Sequence, residues 1–94
     1  MSYKLVFKVE AKKEWDSLDL SLRSVFKKKL RERLITPRIE SAKLRNMKDC
    51  YKIKLRNAGY RLVYQVRDKE LVVAVITIGK RDKSKVYQVA SKRI

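Results

Sequence analysis

Apolar and polar positions alternate along residues 3–9, with Tyr3, Leu5, Phe7 and Val9 on one side and Lys4, Val6 and Lys8 on the other. A period of two predicts a half-buried strand. From Glu10 the period lengthens. Ala11, Trp15 and Leu18 recur at spacings of four and three, which predicts a short helix over 10–18 with Trp15 as a core anchor. Asp19-Leu20-Ser21 interrupts that pattern, and Ser21 is a candidate cap for a second helix. Leu22, Val25, Phe26, Leu30 and Leu34 then form one stripe, and Arg23, Lys27, Lys28, Arg31 and Arg33 the opposite face. Two such helices joined by two or three residues predict a hairpin, apolar toward a sheet and basic toward solvent. Pro37 lacks the amide hydrogen that a helix needs and disfavours helical geometry at Thr36, so the second helix ends there.

An irregular segment follows to Asp49, with Leu44 and Met47 as its anchors to the core and Lys43, Arg45 and Lys48 as its basic positions. Three strand signals come next, over 51–56, 60–67 and 70–78, separated by Asn57-Ala58-Gly59 and Asp68-Lys69. Connections this short leave no room for helices, so the three strands form an antiparallel meander. Residues 71–76 are apolar on both faces and belong in the middle of the sheet, which the N-terminal strand completes to about four strands, its neighbour left open by the pattern. After Gly79 a basic loop, Lys80-Arg81-Asp82-Lys83, leads to a last helix capped by Ser84, with Val86, Val89 or Ala90, and Ile94 facing inward. The expected fold is therefore α+β: an antiparallel-dominated sheet, an N-terminal helical hairpin on one face and a short C-terminal helix, in one domain spanning 1–94.

Charge changes this picture from a fold to a surface. Twenty-six Lys and Arg stand against 10 Asp and Glu, a formal charge of +16 with no histidine, while 45% hydrophobic residues suffice for a core. Self-repulsion on this scale points to a polyanionic partner, whether nucleic acid, an acidic protein or both, and less to a membrane surface. No apolar window approaches the roughly 20 residues that span a bilayer, and the start MSYKLVFKVE lacks a signal peptide, so a cytoplasmic location is expected. With one cysteine, Cys50, and no histidine, neither a disulfide framework nor a zinc site is expected, and Cys50 reads as a small buried residue at a strand entrance.

The stretch YKIKLR, residues 51–56, sends Lys52, Lys54 and Arg56 to one side of its strand. On the next strand Arg61, Val63, Gln65 and Arg67 share a face. A two-residue loop would set Lys54 beside Arg61, whereas a three-residue loop with Gly59 as bulge would pair Arg56 with Tyr60 and reverse the parity. On a shared face, Lys52, Lys54, Arg56 and Arg61 make a cationic patch, joined by Lys80 and Arg81 from the end of the third meander strand and Tyr87 from the last segment. Lysines on an exposed strand also guard against edge-to-edge pairing, but that needs one strand and this set draws on several. Lys27 and Lys28 on the second helix are either a solvated face or contacts to a nucleic-acid backbone. Zinc hydrolysis, a serine or cysteine triad and a paired-carboxylate metal site all lack their residues. RNA cleavage by its own 2'-hydroxyl does not need them: cations stabilise the phosphoryl charge, and a lysine among cations can have its pKa lowered enough to accept a proton.

YKIKLRNAGYRLVYQV followed by GKRDKSKVY, with KEW in the first helix, TPRIE and the terminal KRI, closely resembles the RelE toxins of the RelE/ParE superfamily across essentially the whole chain. The resemblance implies a toxin of a toxin-antitoxin pair, an endoribonuclease that cleaves mRNA in the ribosomal A site, without metal or other cofactor, and halts translation. Carried over by motif, it makes Lys52, Lys54, Arg61, Arg81 and Tyr87 catalytic; the basic positions Arg45, Arg56, Lys80, Lys27 and Lys28 are the expected RNA or rRNA contacts. It also implies an antitoxin with an acidic segment, a free toxin that is monomeric and a hetero-oligomer with the antitoxin. The alternatives are a ParE-like gyrase inhibitor and a non-catalytic RNA-binding protein; the lysine pair and arginines favour chemistry at phosphorus.

Overall fold

The computed structural model describes residues 2–80 and 85–94. Its elements run β1 Lys4–Phe7, α1 Val9–Ser17, α2 Leu20–Ile35, β2 Cys50–Leu55, β3 Tyr60–Arg67, β4 Val72–Lys80 and α3 Lys85–Arg93, with single 3-10 turns at Glu40–Ala42 and Asp68–Glu70. The strands lie in the order β1-β4-β3-β2. β2, β3 and β4 form the expected antiparallel meander, and β1 pairs with β4 in parallel, Lys4 opposite Val72 and Phe7 opposite Val75. The apolar run in β4 is thus central, flanked on both sides.

α1 and α2 cover one face. Ala11, Trp15, Leu18, Phe26 and Leu30 pack there on Tyr51, Ile53, Leu55, Leu62, Tyr64, Val66, Val73, Val75 and Ile78. Phe7 and Trp15 meet with ring centroids 5.2 Å apart at 55°, fixing α1 on β1. On the other face a smaller cluster of Met47, Cys50, Val63, Ala74, Ile76 and Ala90, with Leu44 and Tyr87 at its border, holds the segment before β2 and α3. Leu44 and Met47 therefore anchor that segment as expected.

Several local expectations need correction. Asp19, not Ser21, caps α2: its carboxylate accepts from the Leu22 amide at 2.9 Å and from the Ser21 hydroxyl at 2.8 Å. A carboxylate at a helix N-terminus gains more from the exposed amides than a hydroxyl does, and these bonds hold the Asp19 pKa below its ordinary value. Val25 leaves the expected stripe and is 45% exposed, and Ile94, expected inward, is 50% exposed. The β3–β4 connection is a 3-10 turn closed by Leu71 in left-handed geometry at φ 54, so β4 starts at Val72 rather than at Glu70. Ser84, the expected cap of α3, lies outside the described residues.

β4 outruns β1. Beyond Val75 its outer edge has no strand partner among the described residues, and side chains take over: Glu14 Oε1 accepts from the Ile78 amide at 3.1 Å, and Arg93 Nη1 donates to the Ile76 carbonyl at 3.0 Å. Glu14 and Arg93 also pair with each other at 2.8 Å, which ties α1, β4 and α3 together where the sheet would otherwise expose unpaired backbone.

Candidate active site

The β2–β3 hairpin decides whether the cations meet. Lys54 lies opposite Arg61 and Leu55 opposite Tyr60, leaving a four-residue loop over 56–59. Gly59 closes it at φ +68, and its amide donates to the Arg56 carbonyl at 3.3 Å. Loops of four residues built around a turn of this kind need the left-handed position that glycine occupies without cost. The shared-face parity holds, by a loop longer than either considered from sequence.

Strand alternation then separates the hairpin's two faces. Tyr51, Ile53 and Leu55 enter the helix-covered core, while Lys52 and Lys54 are half-buried on the opposite face beside Arg61. Arg61 is only 7% exposed, and its Nη1 donates to the Tyr60 carbonyl at 3.0 Å. Among the described residues the ion pairs use Lys12, Arg38 and Arg93, and none includes Lys52, Lys54 or Arg61. A nearly buried guanidinium across from one lysine, with no carboxylate paired to it among the described residues, is costly unless an anion supplies the missing charge. The cost is visible in Lys54: the positive charge of Lys52 is the largest cause of its lowered pKa, followed by desolvation and by Arg61 and Arg56.

The remaining candidates fall at graded distances from this centre. Tyr87, on α3, packs at the border of the cluster containing Cys50 and Val63, on the same sheet face as the lysines. Arg45 is exposed between Leu44 and Met47, which belong to that cluster and place it on the rim of the face. Arg56 stands on the hairpin loop, and Lys80 is exposed at the end of β4 opposite Tyr60. Lys27 and Lys28 are exposed on α2, whose buried side covers the other face of the sheet, so the fold does not gather them with Lys52 and Lys54. Arg81 lies outside the described residues. Cys50 is buried, and burial followed by the charge of Asp49 pushes its thiol up to about 11, so it offers no thiolate nucleophile.

Two supporting residues escaped the sequence reading. Arg33, expected on the solvent face, donates from Nη1 to the Lys52 carbonyl at 3.2 Å and to the Tyr64 hydroxyl at 2.8 Å, with its guanidinium 5.7 Å from the Tyr64 ring centre. Tyr64 in turn donates to the Pro37 carbonyl at 2.7 Å. The outer edge of β2 is thereby closed by Arg33 at Lys52 and by a bridge between Lys43 and Tyr51, so edge protection does not rest on the lysine side chains. Glu14 is the second. Each had a signal: Arg33 follows Phe26 by seven residues and Leu30 by three, and Glu14 follows Ala11 by three, which places both polar residues on apolar stripes.

Comparison with known proteins identifies the family and the fold. The model of the family described as ParE toxin of type II toxin-antitoxin system, parDE, matches residues 5–84. The chain is 58% identical over 94 residues to the mRNA interferase toxin RelE of Escherichia coli strain K12, covering 100% of this chain and 99% of that one. A free-state structure of an E. coli RelE mutant superposes with a TM-score of 0.92 at 57% identity, covering 100% and 99% of the two chains. The toxin in the intact E. coli RelBE toxin-antitoxin complex gives 0.84 at 56% identity, over 87% and 100%.

Proposed function

The chain belongs to the RelE toxins of the RelE/ParE superfamily, and we propose that it is a ribosome-dependent endoribonuclease that cleaves mRNA in the A site by attack of the RNA's own 2'-hydroxyl. The observation that carries this reading is the pairing of Lys54 with Arg61 beside Lys52, an anion-seeking cluster with a depressed lysine pKa and no carboxylate paired to it among the described residues.

Lys54, biased toward its neutral amine by Lys52, accepts the 2'-hydroxyl proton or stabilises the oxygen as it attacks. Bond formation from that oxygen to phosphorus and rupture of the bond to the 5'-oxygen, which takes up a proton from solvent, leave a 2',3'-cyclic phosphate and a 5'-hydroxyl. Arg61 and Arg81 stabilise the nonbridging oxygens, with Arg81 also near the leaving oxygen, and Tyr87 aligns the substrate. No metal is called on, because fixed cations supply the charge. Lys52, Lys54 and Arg61 stand on a sheet and do not have to be organised when RNA arrives, whereas Arg45 and Arg56 lie on loops and suit the grip on the surrounding RNA.

A protein partner follows from the same family. Solved relatives include an E. coli RelBE complex and E. coli RelE bound to a RelBc antitoxin peptide. For this chain the partner is an antitoxin with an acidic segment, which reorders the C-terminal segment 84–94 and withdraws Tyr87. α3 is short and buries only Val86 and Ala90 fully, which suits a displaceable element. Unchanged amide exchange in α3 on antitoxin binding would contradict that part.

Primer extension on mRNA alone and on mRNA in programmed ribosomes tests the function. Cleavage only in ribosomes, lost with Arg61→Ala and with a 2'-deoxy nucleotide at the cleavage position, is expected. Equal patterns in all lanes would overturn it.

A further inference from the structure

Val25 was expected in the core and is instead 45% exposed. With Leu22, Leu55 and Ala58 it lines a groove of about 350 Å³ between α2 and the β2–β3 loop, whose rim carries Lys29, Lys54 and Arg56. The groove wraps the free end of edge strand β2 and shares Lys54 with the cationic face, but its floor lies on the helix side of the sheet.

The lining discriminates between occupants. A nucleobase is held by stacking on an aromatic ring or by hydrogen bonds to its edges, and this groove has aliphatic walls with Asn57 as its one amide side chain. A peptide with a branched aliphatic side chain flanked by carboxylates fits better: the aliphatic group fills the space beside Val25, and the carboxylates meet the three cations at the rim. We infer that this groove docks an aliphatic-acidic segment of the protein partner, and that docking withholds Lys54 from RNA from behind the edge of β2, independently of any movement of α3. The partner's identity as antitoxin and the effect on cleavage rest on the function proposed above; the binding itself does not.

Titration of the full chain with the RelBc peptide of the E. coli complex, followed by amide resonances and calorimetry, tests the inference. Resonances of Leu22, Val25, Leu55 and Ala58 should shift, and Val25→Glu should weaken binding at least tenfold. Lys29→Glu, an exposed site away from the core, should also weaken it, whereas Lys69→Glu in the β3–β4 connection should not. In ribosome assays Val25→Glu should cleave at the native rate yet need correspondingly more peptide for inhibition. Affinities within twofold of native for both groove variants would overturn the inference. So would groove resonances that move with a single-stranded RNA oligonucleotide but not with the peptide, or that move on raising the chain's own concentration, which would assign the groove to RNA or to a second copy. Weakened peptide binding in variants of a chain that never cleaves mRNA would uphold the docking site and refute the function.

Discussion

The two faces of the sheet are built from the same strands and have opposite chemistry. On the helix-covered face Phe26, Leu30, Tyr51, Ile53 and Tyr64 are essentially solvent-free, and the hydroxyls that enter with the tyrosines are partnered: that of Tyr64 has a donor in Arg33 and an acceptor in Pro37, and that of Tyr51 a donor in Arg38. On the other face Arg61 is nearly as buried, yet among the described residues it makes one hydrogen bond, to a neutral carbonyl, and lies across from Lys54. One face gives its buried tyrosine hydroxyls protein partners; the other leaves a charge deficit that a substrate can fill. Because side chains alternate along β2, the same six residues serve both, and a shift of one residue in register would exchange them.

Substitutions that should affect one face and spare the other can break this contrast. Among substitutions that keep Lys54, the largest effect is expected from Arg61→Ala, which should lower cleavage by about 10²–10³-fold, the scale of losing a charge-stabilising donor, with no fall in thermal midpoint because it removes a buried cation that has no carboxylate partner among the described residues. A collapse in stability would make Arg61 a structural residue instead. Phe26→Ala should do the reverse, costing about 3–5 kcal/mol in denaturant unfolding while the cleavage rate per folded molecule holds. Arg33→Met lies between the faces: losing the bonds to Tyr64 and to the Lys52 carbonyl should cost about 1–3 kcal/mol and reduce cleavage less than Arg61→Ala does. Lys52→Met should give the finest change. Lys52 is the largest cause of the lowered Lys54 pKa, so removing it lets that pKa rise, less free amine is present at a given pH, and the pH–rate profile should move to higher pH.

How much of this was legible in the sequence follows the same division. Period-two alternation specified β2 and β3, their faces and the pairing candidates, since a half-buried strand writes its orientation into every residue. Helical periodicity located α1 and α2 but misplaced Val25, because whether a residue at the stripe's margin is covered depends on how far the sheet extends beneath it. Arg33 read as a surface charge and Glu14 had no assigned role, although Arg33 closes the outer edge of β2 and Glu14 the stretch of β4 that β1 does not reach, and the length of β1 relative to β4 has no local signature. The parity of the hairpin was open for a similar reason: Asn57-Ala58-Gly59 suits several loop lengths, and packing of Leu55 and Tyr60 on the helix side selects the one that sets Lys54 across from Arg61.

The role proposed for Lys54 is that of a base, or of a stabiliser of the attacking oxygen, tuned by its cationic neighbours. Single-turnover cleavage of mRNA in programmed ribosomes, followed against pH for the native chain and Lys54→Ala, tests it most directly. The native rate should rise with pH and level off below the ordinary lysine pKa, and Lys54→Ala should lose that limb and about 10²–10⁴ in rate. A Lys54→Ala profile that overlays the native one would contradict it.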